Sequence, residues 1–116
     1  MAVIDHIKPL EHHSCGIPPQ VMFHMKRLDK QSSKRMIDLA MSSYDKLVYL
    51  IEKALHGDVP VDSEERAAEY ASHLILDAAF IHDCLCHAGC IVGAFPYDHL
   101  ADRILPKPEQ EQKVLQ

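Results

Sequence analysis

Three apolar rows recur every seven residues between Ser33 and Gly57. Ile37, Tyr44 and Ile51 form one, Ala40, Leu47 and Ala54 the second, and Met41, Val48 and Leu55 the third. Seven residues is close to two turns of 3.6, so the rows merge into one broad stripe on a helix, whereas a strand would alternate every second residue. Asp38, Asp45 and Glu52 form a polar row beside it, and Met36 and Leu50 widen the apolar face. Ser32 or Ser33 supplies a capping hydroxyl at the start, and Gly57 provides the left-handed residue that closes a helix. The pattern predicts a helix of roughly 24 residues, about 36 Å long.

A second stripe follows. Ala67, Ala71, Leu74, Ala78, Ile81, Leu85, Ala88 and Val92 are spaced alternately by four and three. Asp62 or Ser63 caps this helix, with Glu65 three residues after Asp62 as in a capping box. The spacing predicts that it reaches Val92 and stops at Gly93. Only Asp58 to Val61 separate the helices, so they run antiparallel as a hairpin. The alanines on the second stripe let the partner helix come close.

The remaining segments are secondary to this hairpin. Pro9, Gly16, Pro18 and Pro19 interrupt any long helix near the start. Residues 20–29 fit either a short helix or an extended segment. The expected architecture is all-α: an N-terminal arm over 1–31, a hairpin domain over 32–105 that ends in a short helix near Asp98 to Leu105, and a flexible tail over 106–116. A chain of 116 residues, 47% hydrophobic, with 6% aromatics and no Trp, suits a single helical domain better than a β-sandwich.

Two strong stripes leave apolar residues over. Leu76, Phe80, Cys84 and Ile91 fall on the side of the second helix away from its main stripe. Val21, Phe23 and Met25 sit together before the first long helix. Apolar anchors within a polar rim are what protein interfaces use. Val21, Phe23, Met25, Leu76, Phe80 and Ile91 are therefore the candidate partner-binding residues. Two hairpins pairing as a homodimer would give a four-helix bundle and cover part of this surface.

Charge narrows the partner classes. The net charge is −5, which disfavours a generic nucleic-acid binder. The basic run Lys26, Arg27, Lys30, Lys34 and Arg35, opposed only by Asp29, could touch phosphates, but such runs more often meet solvent or an acidic protein surface. No apolar stretch is free enough of charge to span a membrane. Neither a secretory leader nor paired extracellular cysteines are evident, so the sequence suggests a cytoplasmic protein with free thiols.

One segment invites chemistry. In His82-Asp83-Cys84-Leu85-Cys86-His87-Ala88-Gly89-Cys90, a continuous helix places His82, Cys86 and Cys90 on one face at intervals of four, and His73 and Asp77 form another such pair. Imidazole and thiolate suit zinc, so His73, Asp77, His82, Cys86 and Cys90 make up an alternative metal-binding reading. Against it, Cys84 and Cys86 point about 200° apart on a helix, and a closed site needs ligands such as His12, His13 or Cys15. Cys-Leu-Cys-His lacks one residue of a haem-attachment motif. The His82-Asp83 dipeptide alone is a poor match to HD-type phosphohydrolases. With no nucleophile beside a base and no phosphate loop, neither enzyme activity nor a cofactor is expected.

A proline-containing arm precedes Ser33-Lys34-Arg35-Met36 at the head of one amphipathic helix, and a second carries Ala71-Ser72-His73-Leu74-Ile75-Leu76-Asp77-Ala78-Ala79. In size and layout this resembles the QslA-like quorum-sensing antiactivators of pseudomonads. The resemblance implies a dimer that binds the ligand-binding domain of a LuxR-type transcription factor, blocks that factor's dimerisation, and needs no active site. No functional residue carries over, because no motif matches position by position.

Overall fold

The computed structural model describes residues 2–10 and 16–105. It is all-helical, with no strand among the described residues. In chain order the helices are α1 (Ala2–Asp5), α2 (Pro19–Lys26), α3 (Lys34–Leu55), α4 (Glu64–His87) and α5 (Asp98–Ile104). As the two stripes require, α3 and α4 pack along each other as an antiparallel pair.

Capping chemistry sets the ends of this pair. Ser33 caps α3, its hydroxyl accepting from the Met36 amide at 3.3 Å. Gly57, at φ +89°, closes the helix. Its amide donates to the Ala54 carbonyl, and the Asp58 amide donates to that of Lys53 at 2.9 Å. On α4 the cap is Ser63, which accepts from the Arg66 amide at 3.1 Å. Glu64 and Glu65 stand in the first turn, where the helix dipole favours negative charge. Because Ser63 is the cap, Glu65 is not in the capping-box position that Asp62 would have required.

The far end of α4 departs from expectation. The helix stops at His87 and is capped by Ala88, with Gly89 at φ +78° and the Cys90 amide turned back to the Leu85 carbonyl at 2.9 Å. Gly89 is an earlier stop than Gly93, although Val92 keeps the apolar rhythm. Val92 is 96% exposed and belongs to no core.

Two apolar clusters fill the interior. The larger gathers Ile51 and Ala54 of α3, Ala71 and Ile75 of α4, and Leu100 and Ile104 of α5. Val3 and Ile7 join it, so the N-terminal arm packs on the hairpin at these residues. The Arg103 guanidinium donates to the Ile7 carbonyl at 2.9 Å, and the Leu10 amide to that of Ile104 at 3.2 Å. The smaller cluster joins Met25 and Leu28 to Ala40, Ile81, Leu85 and Ala88. Tyr44 and Leu47 touch both clusters. Burying an aliphatic side chain such as Ile51 or Leu85 stabilises by about 1.5–3 kcal/mol. Residues 11–15 and 106–116, including His12, His13, Cys15 and the expected tail, lie outside the described residues.

Candidate protein-binding groove

The ambiguous segment 20–29 is helical as far as Lys26. Pro19 sits at the first helical position, where a fixed φ and a missing amide hydrogen cost nothing. The Met22 amide bonds to the Pro18 carbonyl at 2.9 Å. After Lys26 the chain turns, and Leu28, 2% exposed, pins that turn to the smaller cluster. Asp29 and Ser32 then lock the corner: the Asp29 carboxylate accepts from the Gln31 amide at 3.0 Å and from the Ser32 hydroxyl at 3.2 Å. Ser33 starts α3 immediately afterwards.

This corner leaves a gap between α2 and the first half of α3. Val21, His24 and Met25 line one wall, and Met36, Leu39, Ala40 and Ser43 the other, around a space of about 370 Å³. Met25 and Ala40 are buried and form the floor. Val21 at 47%, Met36 at 38% and Leu39 at 61% exposed face solvent, and Phe23 at 56% stands outside the gap on α2. The Arg27 guanidinium lies over the Phe23 ring, 5.3 Å from its centroid, a cation–π contact that keeps this aromatic upright in water. Single exposed apolar side chains are ordinary, but a contiguous set is not.

The expected anchors therefore divide. Val21 and Phe23 are exposed at or beside the groove, while Met25 supports it from beneath. Leu76, Phe80 and Ile91 are not open anchors. All three are half-buried, Leu76 against the larger cluster and Phe80 and Ile91 against the smaller. The N-terminal segments pack on α4 and take up much of the surface that a bare hairpin would have exposed. Leu39 is the residue that sequence reasoning missed. Met36, Leu39, Ser43 and Leu50, at spacings of three, four and seven, form a row beside the core stripe that could have revealed it.

The His/Cys segment is built differently from a metal cage. His82 is buried between the rings of Tyr44 and Phe95, with centroids 5.7 and 5.6 Å away. Its Nδ1 lies 3.6 Å from the Cys86 sulfur. Cys90 is beyond the end of α4, so the expected row of His82, Cys86 and Cys90 is broken; its thiol instead approaches the Ala88 carbonyl at 3.9 Å. Asp77 is buried and accepts from the Gly16 amide at 3.0 Å. His73 lies 4.0 Å from Glu69. Among the described residues no three His, Cys, Asp or Glu side chains gather in a way that could hold a metal ion. Cys84, Cys86 and Cys90 are free thiols. Burial, with the nearby Asp83 charge, pushes the Cys84 thiol above its ordinary value.

The described residues form an all-helical protein with an open apolar groove between α2 and α3. No family model, curated protein or solved structure matches the chain. No described helix is long and apolar enough to cross a membrane.

Proposed function

We propose that this chain is a regulatory protein-binding module, working as an antiactivator that engages a LuxR-type transcription factor in the cytoplasm and prevents that factor from dimerising. The groove between α2 and α3 carries the binding part of this reading. It presents Val21, Met36 and Leu39 to solvent over a floor of Met25 and Ala40, with Phe23 beside it. Exposed aliphatic and aromatic side chains over a rigid, buried floor suit hot-spot contacts, since little ordering is needed on binding. The choice of a LuxR-type factor rests on the layout shared with QslA-like antiactivators. The same resemblance supports a homodimer, with two hairpins forming a four-helix bundle, and a protein that acts by occupancy rather than by a reaction.

The test is affinity capture of the tagged full chain from its native host, followed by mass spectrometry. A LuxR-type factor should be recovered with the native chain and lost with Phe23→Ala combined with Leu39→Asp. Added chain should also convert the purified factor from dimer to monomer in sedimentation. Recovery of no transcription factor, or a factor that stays dimeric with the chain bound, would refute the reading. Sedimentation of the chain alone at micromolar concentration should give about twice its 13.1 kDa; a monomer mass would remove the four-helix bundle.

A further inference from the structure

The groove is apolar inside, and exposed basic side chains stand on both of the helices that form it and on the corner between them. Lys26, Arg27, Lys30, Lys34 and Arg35 follow one another around the corner from α2 into α3. Lys46 extends the set along α3, seven residues beyond Leu39 and three beyond Ser43, and Arg35 lies one turn before Leu39. All six are exposed. None has a carboxylate within ion-pair distance among the described residues, whose pairs are His6–Glu64, Lys8–Glu65, Lys53–Asp58 and His73–Glu69. Within the corner the lone acid, Asp29, spends its carboxylate on the turn through Gln31 and Ser32. There is no acidic residue in α2 and none in the first turn of α3.

We propose that the α2–α3 groove receives an amphipathic helix of another protein, whose apolar stripe is edged with Asp and Glu. This rests on the protein-binding reading and names the occupant. An apolar floor flanked by Arg35 and Lys46 on α3 and by Arg27 at the end of α2, none of them in an ion pair among the described residues, is complementary to such a helix, because oil meets oil at the centre while opposite charges meet at the edge. A second copy of this chain is a poor fit in either arrangement. A two-fold contact of groove on groove would set one cationic rim against another. Nor does the acidic half supply the required stripe. Among its described residues, 58–105, the exposed large apolar side chains are Val92 and Leu105, on different segments.

Synthetic helices about twenty residues long, with leucines at intervals of three and four, serve as probes against the full-length chain. One is edged with Glu, one with Lys, and one is a scramble of the first. In fluorescence anisotropy at low ionic strength the Glu-edged helix should bind at least about tenfold more tightly than the other two, and added salt should weaken it. Leu39→Asp, at a solvent-facing position, should weaken that binding by about tenfold or more. Arg35→Glu with Lys46→Glu should reverse the preference towards the Lys-edged helix, with circular dichroism confirming unchanged helicity. Equal binding of the Glu- and Lys-edged helices, no binding of either, or indifference to Leu39→Asp overturns the proposal. So does a dimer of the native chain that Leu39→Asp alone dissociates, since the occupant would then be a second copy. If the probes fail while the full chain still captures its transcription factor, the binding role survives and only this occupant falls.

Discussion

Single residues set the ends of the elements and the response to alkali. Gly89 holds φ +78°, and a Cβ placed there would meet the Lys30 side chain at 3.2 Å. The Lys30 tail can swing aside, but the left-handed backbone still costs a non-glycine residue about 1–2 kcal/mol. Gly89→Ala should lower chain stability by about that amount, read as a reduced urea midpoint at unchanged slope. Alkali acts through three buried or half-buried acids. Burial is the leading cause that raises the Cys84 thiol and the Tyr44 and Tyr97 phenols, with Asp83, Cys86 and Glu52 respectively adding negative charge nearby. Each group holds its proton more tightly in the folded chain than in the unfolded one. The resulting stabilisation is complete below the ordinary values of 9.0 for the thiol and 10.0 for the phenols, and is lost as pH rises above them. The urea midpoint should therefore fall as pH climbs from about 8 upward, and Cys84→Ala should flatten the first part of that fall. A midpoint that stays level through this range would contradict the assignment.

At the scale of elements, the α3–α4 pair depends on small side chains. Ala54, Ala71 and Ala78 have no exposed surface, and Ala40 and Ala67 almost none. Such a seam has no room for added carbon. Ala78→Leu should cost about 1–3 kcal/mol by overpacking, despite a gain in helix-compatible bulk; calorimetry would register it as a lower melting temperature, and an unchanged one would mean the helices stand further apart. This pair was legible in the sequence because its rows repeat over three cycles, and the start of each helix was narrowed to two adjacent capping residues, of which Ser33 and Ser63 are the caps. The end of α4 was not. Val92 satisfies the period, and periodicity alone carries no penalty for the left-handed turn that Gly89 permits. Neither was α2: eight residues span barely two turns, so Val21, Phe23 and Met25 match a strand as well as a helix. The groove could not be read directly, because it lies between a helix with a clear stripe and one without. Leu76, Phe80 and Ile91 looked free only because the docking of α1 and α2 onto α4 is a long-range event.

For the molecule as a whole, the uneven charge acquires a location. Residues 1–57 carry eight basic and six acidic side chains, and the rest of the chain carries four and eleven. Five of the basic ones stand around the α2–α3 corner, and Lys46 follows further along α3. The net charge is negative, yet this corner is a local cationic surface. The larger cluster also makes the fold global: Val3 and Ile7 share it with Leu100 and Ile104. A chain ended at Tyr97 lacks α5 and leaves Val3, Ile7 and Ile75 wet, so its thermal transition should broaden and its affinity for an apolar dye should rise. A sharp, native-like transition would show that α5 is dispensable.

The clasp between Arg103 and the Ile7 carbonyl spans 96 positions of the chain. It also orders events during synthesis. Ile7 leaves the ribosome long before Arg103, with both long helices made in between. Until translation has passed Ile104 the larger cluster lacks Leu100 and Ile104, and Val3 and Ile7 have only α3 and α4 to pack on.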